Sequence, residues 1–292
     1  MTDALPSRLA LVLDAPLDDL DPVLQQARLA GHLDRVGPLG AEPRGPGPVL
    51  AREVHWGGRT QRAAVRALAD DEDGAPLLRV EAVVAADGWS GGIARQAALV
   101  RGIAAALPGR VRSLRDGSAR RDRPLDWLDR AVAGGLAPED VVEVVVAGGG
   151  GGADAGAAVA WVHTHGAARF GVPDLELYGL APVQVEDGVA LVRSVLARLL
   201  VAGLGAPLED RGRSLRLVPV LQVWPHLPLG WPGVGRGGRD RGPGLDGPRA
   251  TLSVLHAPRL GRHRLDVDGV IARLGPSDGP AGRRRLGPAG RR

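Results

Sequence analysis

Strand-like and helix-like apolar patterns follow one another along this chain without a regular strand–helix–strand beat, and that order constrains the fold more than any other feature. A doubly wound parallel sheet needs a crossover helix between successive strands. The stretch "LLRVEAVVA" puts Leu78, Val80, Ala82 and Val84 on one face and Arg79 and Glu81 on the other, as a half-buried strand does. Further on, "DVVEVVVA" and "AAVAWVHT" are two strand runs in direct succession, joined by "GGGGGADAG" as a loose hairpin. The expectation is an α+β fold, with a mixed or antiparallel sheet and helices packed on it.

Helices are read from stripes. Leu17, Leu20, Leu24 and Ala27 recur at helical spacing until Gly31. Ser90 offers an N-cap to a helix whose stripe is Ile93, Ala97, Val100, Ala104 and Leu107, closed by Pro108-Gly109. A short helix is expected over 125–133. The strongest, "EDGVALVRSVLARLLVAGLG", lines up Val189, Val192, Leu196 and Leu199. Residues 9–13, "VLAREVHW", "SLRLVPVLQVW" and "RATLSVLHA" read as strands. These elements divide into an N-terminal α/β part (1–88), a main α+β domain (89–274) and a basic tail (275–292). The tail, "GPSDGPAGRRRLGPAGRR", is expected to be disordered because it is too polar and too rich in Gly and Pro to bury a core.

Composition narrows the function. The net charge is +4, yet every basic residue among the 37 is Arg, and Lys and Asn are absent. That is the signature of a very GC-rich genome, so Arg enrichment speaks weakly for nucleic acid. Segments such as "RSLRDGSARRDRP" and "GRRRLGPAGRR" leave a weak nucleic-acid binder as one alternative. The absence of Cys excludes disulfides, thiolate nucleophiles and Cys-ligated zinc. The start carries no basic n-region or long apolar run, and no window approaches the roughly 18 apolar residues of a membrane span. A cytoplasmic location is the expectation. "GVGRGG" matches G-x-G-x-x-G at Gly233, Gly235 and Gly238, but follows Trp231-Pro232 rather than a strand, and reads as a loop.

The chemistry concentrates in "WVHTHGAARFGVPDLELYG", residues 161–179. If 159–165 is a strand, Trp161, His163 and His165 leave the same face. Asp174, Glu176 and Tyr178 form a second such set on "DLELY", and the loop 166–173 is long enough to fold it back onto the first. Two imidazoles with a carboxylate make a sensible zinc site, in which His163, His165 and Asp174 are the ligands and Glu176 or Glu143 is the base. His163-Thr164-His165 is similar to the H-x-H of the JAMM zinc isopeptidases, where Ser-x-x-Asp follows; here Gly171 stands at the Ser position and the gap to Asp174 is two residues short. The other reading is structural: Thr164 and the imidazoles fix the loop, and Arg169 pairs with Asp174 or Glu176.

A broader resemblance runs over about residues 95–260. The block Trp161, His163, Thr164, His165, Gly166, Arg169, Gly171, Leu175 and Glu176 resembles one carried by a bacterial domain-of-unknown-function family, which usually has Glu where Asp174 stands. An Asp116-x-Ser118 pair upstream and "GGRDRGPGLDGPRATLSVL" downstream resemble further family segments. The resemblance implies kinship and fold, with no settled activity attached. The expected function is a non-catalytic module that binds a small ligand or a protein, centred on His163-Thr164-His165-Gly166, with Arg169, Asp174, Glu176 and Tyr178 completing the pocket. It needs no cofactor. The alternative is a zinc-dependent hydrolase.

Overall fold

The computed structural model describes residues 5–39, 50–58, 61–69, 74–84, 88–148, 160–210, 213–223 and 248–254. They form an α+β fold built on two mostly antiparallel sheets. Seven strands make the first: β1 (Ser7–Leu13), β2 (Arg35–Pro38), β3 (Leu50–Trp56), β4 (Gln61–Leu68), β5 (Leu77–Ala82), β6 (Val111–Asp116) and β7 (Arg121–Arg123), in the order β2-β3-β4-β5-β1-β6-β7. The helices α1 (Asp21–Leu29), α2 (Gly88–Ala105) and α3 (Asp126–Val132) belong to the same stretch of chain. Strand β1 is central, paired antiparallel to β5 and β6, and all but one of its side chains are buried. That explains its unbroken apolar run, since a strand covered on both faces cannot alternate.

The second sheet holds β8 (Glu143–Gly148), β9 (Ala160–His165), β10 (Asp174–Leu180), β11 (Leu208–Asp210), β12 (Arg213–Pro219) and β13 (Arg249–Val254), in the order β11-β12-β13-β10-β9-β8. Only β10 and β13 run parallel; between them in sequence lie α4 (Val185–Ala202) and a helical turn, α5 (Val220–Val223). β8 and β9 form the hairpin that the two strand runs imply. One apolar cluster joins the two sheets through the helices, with Leu9, Leu11 and Val80 at one end, Ile93, Ala97 and Val100 of α2 between, and Val192, Leu196 and Leu199 of α4 with Leu175 and Leu177 at the other. Gln96, fully buried on α2, donates to the carbonyls of Ser7 and Val80 and ties the helix to β1 and β5.

Three expectations are corrected. Ser90 lies inside α2, which starts at Gly88, so it caps nothing. The strand over "SLRLVPVLQVW" stops at Pro219, which brings no N–H to the ladder, and the chain turns helical at Val220. The division at residue 88 does not follow the sheets: β6 and β7 lie beyond it yet pair into the first sheet, because β1 needs a partner on each edge. The glycine-rich hairpin loop, Gly233, Gly235 and Gly238, Trp224 and the tail 275–292 lie outside the described residues.

Candidate functional site: the turn between β9 and β10

The segment 166–171 is a single 3-10 turn, Ala167–Phe170, bracketed by Gly166 at φ 105° and Gly171 at φ 75°. Both angles are in the left-handed region that an L side chain resists. Gly166 is also tightly enclosed: a Cβ there would sit 3.2 Å from the carbonyl oxygen of Val141 and 3.3 Å from the backbone of Ala119. The turn therefore presses against the β6–β7 turn, where the two sheets meet.

Its base is clamped by Thr164 and Asp174. The Thr164 hydroxyl donates to Asp174 Oδ1 at 2.9 Å and accepts from the Leu175 N–H at 2.8 Å, while the Ala167 N–H donates to the same Oδ1 at 3.0 Å. Burial pushes the Asp174 carboxyl up, against the pull of these hydrogen bonds. One face of the hairpin carries the rings, as period two requires. Trp161 stacks on His163 with centroids 3.7 Å apart, His163 meets His165 edge-on at 4.8 Å, and Trp161 lies parallel to Tyr178 at 6.0 Å. Glu176 stands opposite His163 in the register. His163, Glu176 and Tyr178 are at most 5 % exposed. Burial first, and then the positive charge of neighbouring groups, lowers the His163 imidazole to about 3, so it is neutral.

Arg169 does not pair with Asp174 or Glu176. It reaches across the sheet boundary to Asp116, at 2.7 and 2.9 Å through two parallel contacts, and also donates to the Val141 carbonyl and, at 3.3 Å, to Ser7 Oγ. Both partners are essentially fully buried. The geometric reason is the turn: its two left-handed glycines aim residue 169 at β6, away from its own hairpin. Glu176 takes its cation from β13 instead, where Arg249 donates to Oε1. Burial pushes Glu176 up and Arg249 pulls it back down.

The structure thus gathers His163, Thr164, His165, Arg169, Asp174, Glu176 and Tyr178 at one turn, but assigns several of them to other partners than the sequence implies. The zinc set of His163, His165 and Asp174 is not assembled: among the described residues no three His, Asp or Glu side chains converge as a metal-binding group. Asp174 Oδ1 is taken up by the Thr164 hydroxyl and the Ala167 N–H of the turn it clamps. Glu143, the other candidate base, is ion-paired to Arg121 at 2.6 Å. Several buried polar atoms of the ring face, namely Trp161 Nε1, His163 Nδ1, Glu176 Oε2 and Tyr178 OH, find no hydrogen-bonding partner of good geometry among the described residues.

Beside the turn is a cleft of about 430 Å³, counting the part open to solvent. Arg8, Arg120, Arg169, Arg249, His165 and Asp174 contribute to its wall. The sequence reading misses Arg8, Arg120 and Arg249. Arg8 and Arg249 occupy strands, where an isolated Arg reads as a solvated position. Arg120 falls within "RSLRDGSARRDRP", which the sequence marks only as a possible nucleic-acid segment, and its positive φ leaves no signal in the sequence. No family model matches the chain, and neither does any curated protein or solved structure. Among the described residues no helix is long and apolar enough to cross a membrane.

Proposed function

We propose that the chain is a cytoplasmic, non-catalytic binding or regulatory module, and that its ligand enters the cleft beside the His163-Thr164-His165-Gly166 turn. The observation that carries this reading is convergence: Leu5, Arg8, Ser118, Arg120, Gly166 and Arg249, on segments distant in sequence, together wall one cleft. The acid and base side chains around it hold the architecture. Asp174 clamps the turn, Asp116 and Arg169 join the sheets, and Arg249 anchors Glu176.

The test is a nuclear magnetic resonance screen of the labelled protein against a chemically mixed fragment library, neutral, cationic and anionic. Saturable shifts of the His165 and Gly166 resonances are expected. A library that moves neither residue overturns the reading. Elemental analysis of the same sample is the companion measurement: stoichiometric zinc, lost in a His163→Ala/His165→Ala double variant, would replace this reading by that of a zinc-dependent hydrolase.

A further inference from the structure

Arg120 is the only non-glycine residue with positive φ among the described residues, at 53°, while eleven glycines take that region. A side chain there costs roughly 1 kcal/mol relative to glycine. This chain has 44 glycines and uses them freely at such turns. A guanidinium retained at a strained position points to a task for the side chain, and Arg120 stands on the wall of the cleft.

The rest of the wall supports the same conclusion. Among the described residues, Arg8, Arg169 and Arg249 contribute to it with Arg120, against a single acid, Asp174, whose Oδ1 already accepts two hydrogen bonds. The carboxylates that pair with three of these arginines do not line the cleft: Asp116 with Arg169, Glu176 with Arg249, and Glu81 with Arg8 at 3.6 Å. Such partners fix the guanidinium forks in place without occupying the cleft. Arg169 is 1 % exposed, and its Nε–H finds no acceptor among the described residues. A buried charged donor left without an acceptor is a standing demand for one.

We propose that this cleft binds a small oxyanion, a carboxylate or phosphate group held by Arg120 and Arg8 at the rim, with the paired Arg169 and Arg249 adding positive charge to the inner wall. The inference rests on the binding reading above and adds the chemical class of the ligand. Guanidinium forks match both oxyanions by paired N–H donors, so the two sources share one chemistry.

The test titrates inorganic phosphate and malonate separately into the full chain at constant ionic strength balanced with chloride. The readouts are calorimetric affinity and the His165 and Gly166 resonances. At least one probe is expected to bind saturably, and the tighter one identifies the oxyanion. Arg120→Gly removes the guanidinium and relieves the backbone, so its melting temperature should equal or exceed that of the wild type while affinity for the tighter probe falls about tenfold. Arg8→Gln, at a half-exposed position, should weaken binding in the same direction. Absence of saturable binding of either probe to the wild type, or equal affinity in wild type and Arg120→Gly, overturns the proposal. If neutral or cationic fragments shift His165 and Gly166 while phosphate and malonate do not, the oxyanion class is wrong and the binding reading survives.

Discussion

Breaking the Arg169–Asp116 pair should cost more than any other substitution at the site. Both side chains are buried to within 1 % of complete, and they join the turn of one sheet to β6 of the other. Removing one member of such a pair costs about 3–5 kcal/mol, because the survivor remains charged and dry. The two single variants should differ. After Arg169→Met, Asp116 retains the Ala119 N–H at 3.1 Å and the Arg123 guanidinium at 3.7 Å, which places the loss at the lower end of that range. After Asp116→Leu, the guanidinium retains only the Val141 carbonyl and Ser7 Oγ, neither of them anionic, which places the loss at the upper end. The double variant Arg169→Met/Asp116→Leu orphans neither member of the pair, and the loss of Asp116 beside Arg123 is already counted in the Asp116→Leu single, so it should be more stable than the sum of the singles implies by about 2 kcal/mol or more. Urea unfolding followed by tryptophan fluorescence measures all three, with Trp127, 1 % exposed, as a buried reporter. A loss below about 1 kcal/mol in either single variant, or strict additivity in the double, would refute the argument that this pair joins the sheets.

Other predictions follow from single contacts. Thr164→Val keeps the shape but removes a donor to Asp174 and an acceptor for Leu175 N–H, and should cost about 2–3 kcal/mol in the same unfolding assay. Gly92→Ala in α2 should destabilise by about 2 kcal/mol or more, although alanine is the better helix former, because its Cβ would sit 2.0 Å from the backbone oxygen of Val84; a gain in melting temperature would sink that reading. The His163 imidazole, lowered from 6.5 to about 3, is neutral when folded, so the unfolded chain takes up the proton first. Its contribution is complete above the unfolded pKa and is lost as pH falls toward the folded one. Between neutral pH and about pH 4.5 the wild type should lose about 2–3 kcal/mol more than His163→Phe, which keeps a ring against Trp161 but cannot titrate. Asp174 and Glu176, raised by burial, have the opposite sign and are present in both proteins, so the difference isolates the imidazole.

What the sequence discloses here is local, and the reason is periodicity. Leu78, Val80, Ala82 and Val84 are all buried, as their alternation implies, and α2 and α4 bury the residues of their stripes with few exceptions. The ring face of β9 is equally legible, because period two alone places Trp161, His163 and His165 together. β4 is passed over because its buried positions are Ala63, Val65 and Ala67, and a strand written largely in alanine and arginine carries little of the usual strand signature. Partner choice is not legible at all. Arg169 and Asp116 are 53 residues apart and Glu176 and Arg249 are 73 apart; nothing in the local pattern of either distinguishes a pair from two solvated charges. Nearness in sequence misleads in this case, because Asp174 and Glu176 are the closest acids to Arg169 and neither receives it.

The spacing of the His-Thr-His-Gly block has a mechanical explanation that needs no reaction. Gly166 must be glycine to enter the turn and to lie against Val141 and Ala119, and Gly171 must be glycine to leave it. Between them only one side chain is long and polar enough to reach the neighbouring sheet, and that is Arg169. Thr164, two residues before Gly166, and Asp174, three after Gly171, flank the turn, where one hydroxyl and one carboxylate oxygen tie strand to strand and close it. Glu176, two residues further, faces His163 and fixes Arg249 on the parallel strand. Each position thus follows from the need to hold two sheets, a hairpin and a crossover strand at one point. Such a junction places four arginines around a cleft, three of them paired with carboxylates that do not line it. Rigidity and an anion-seeking surface are therefore consequences of the same ion pairs, so substitutions meant to probe binding belong at Arg120 and Arg8, on the rim, and not at Arg169 or Arg249, whose loss would dismantle the junction itself.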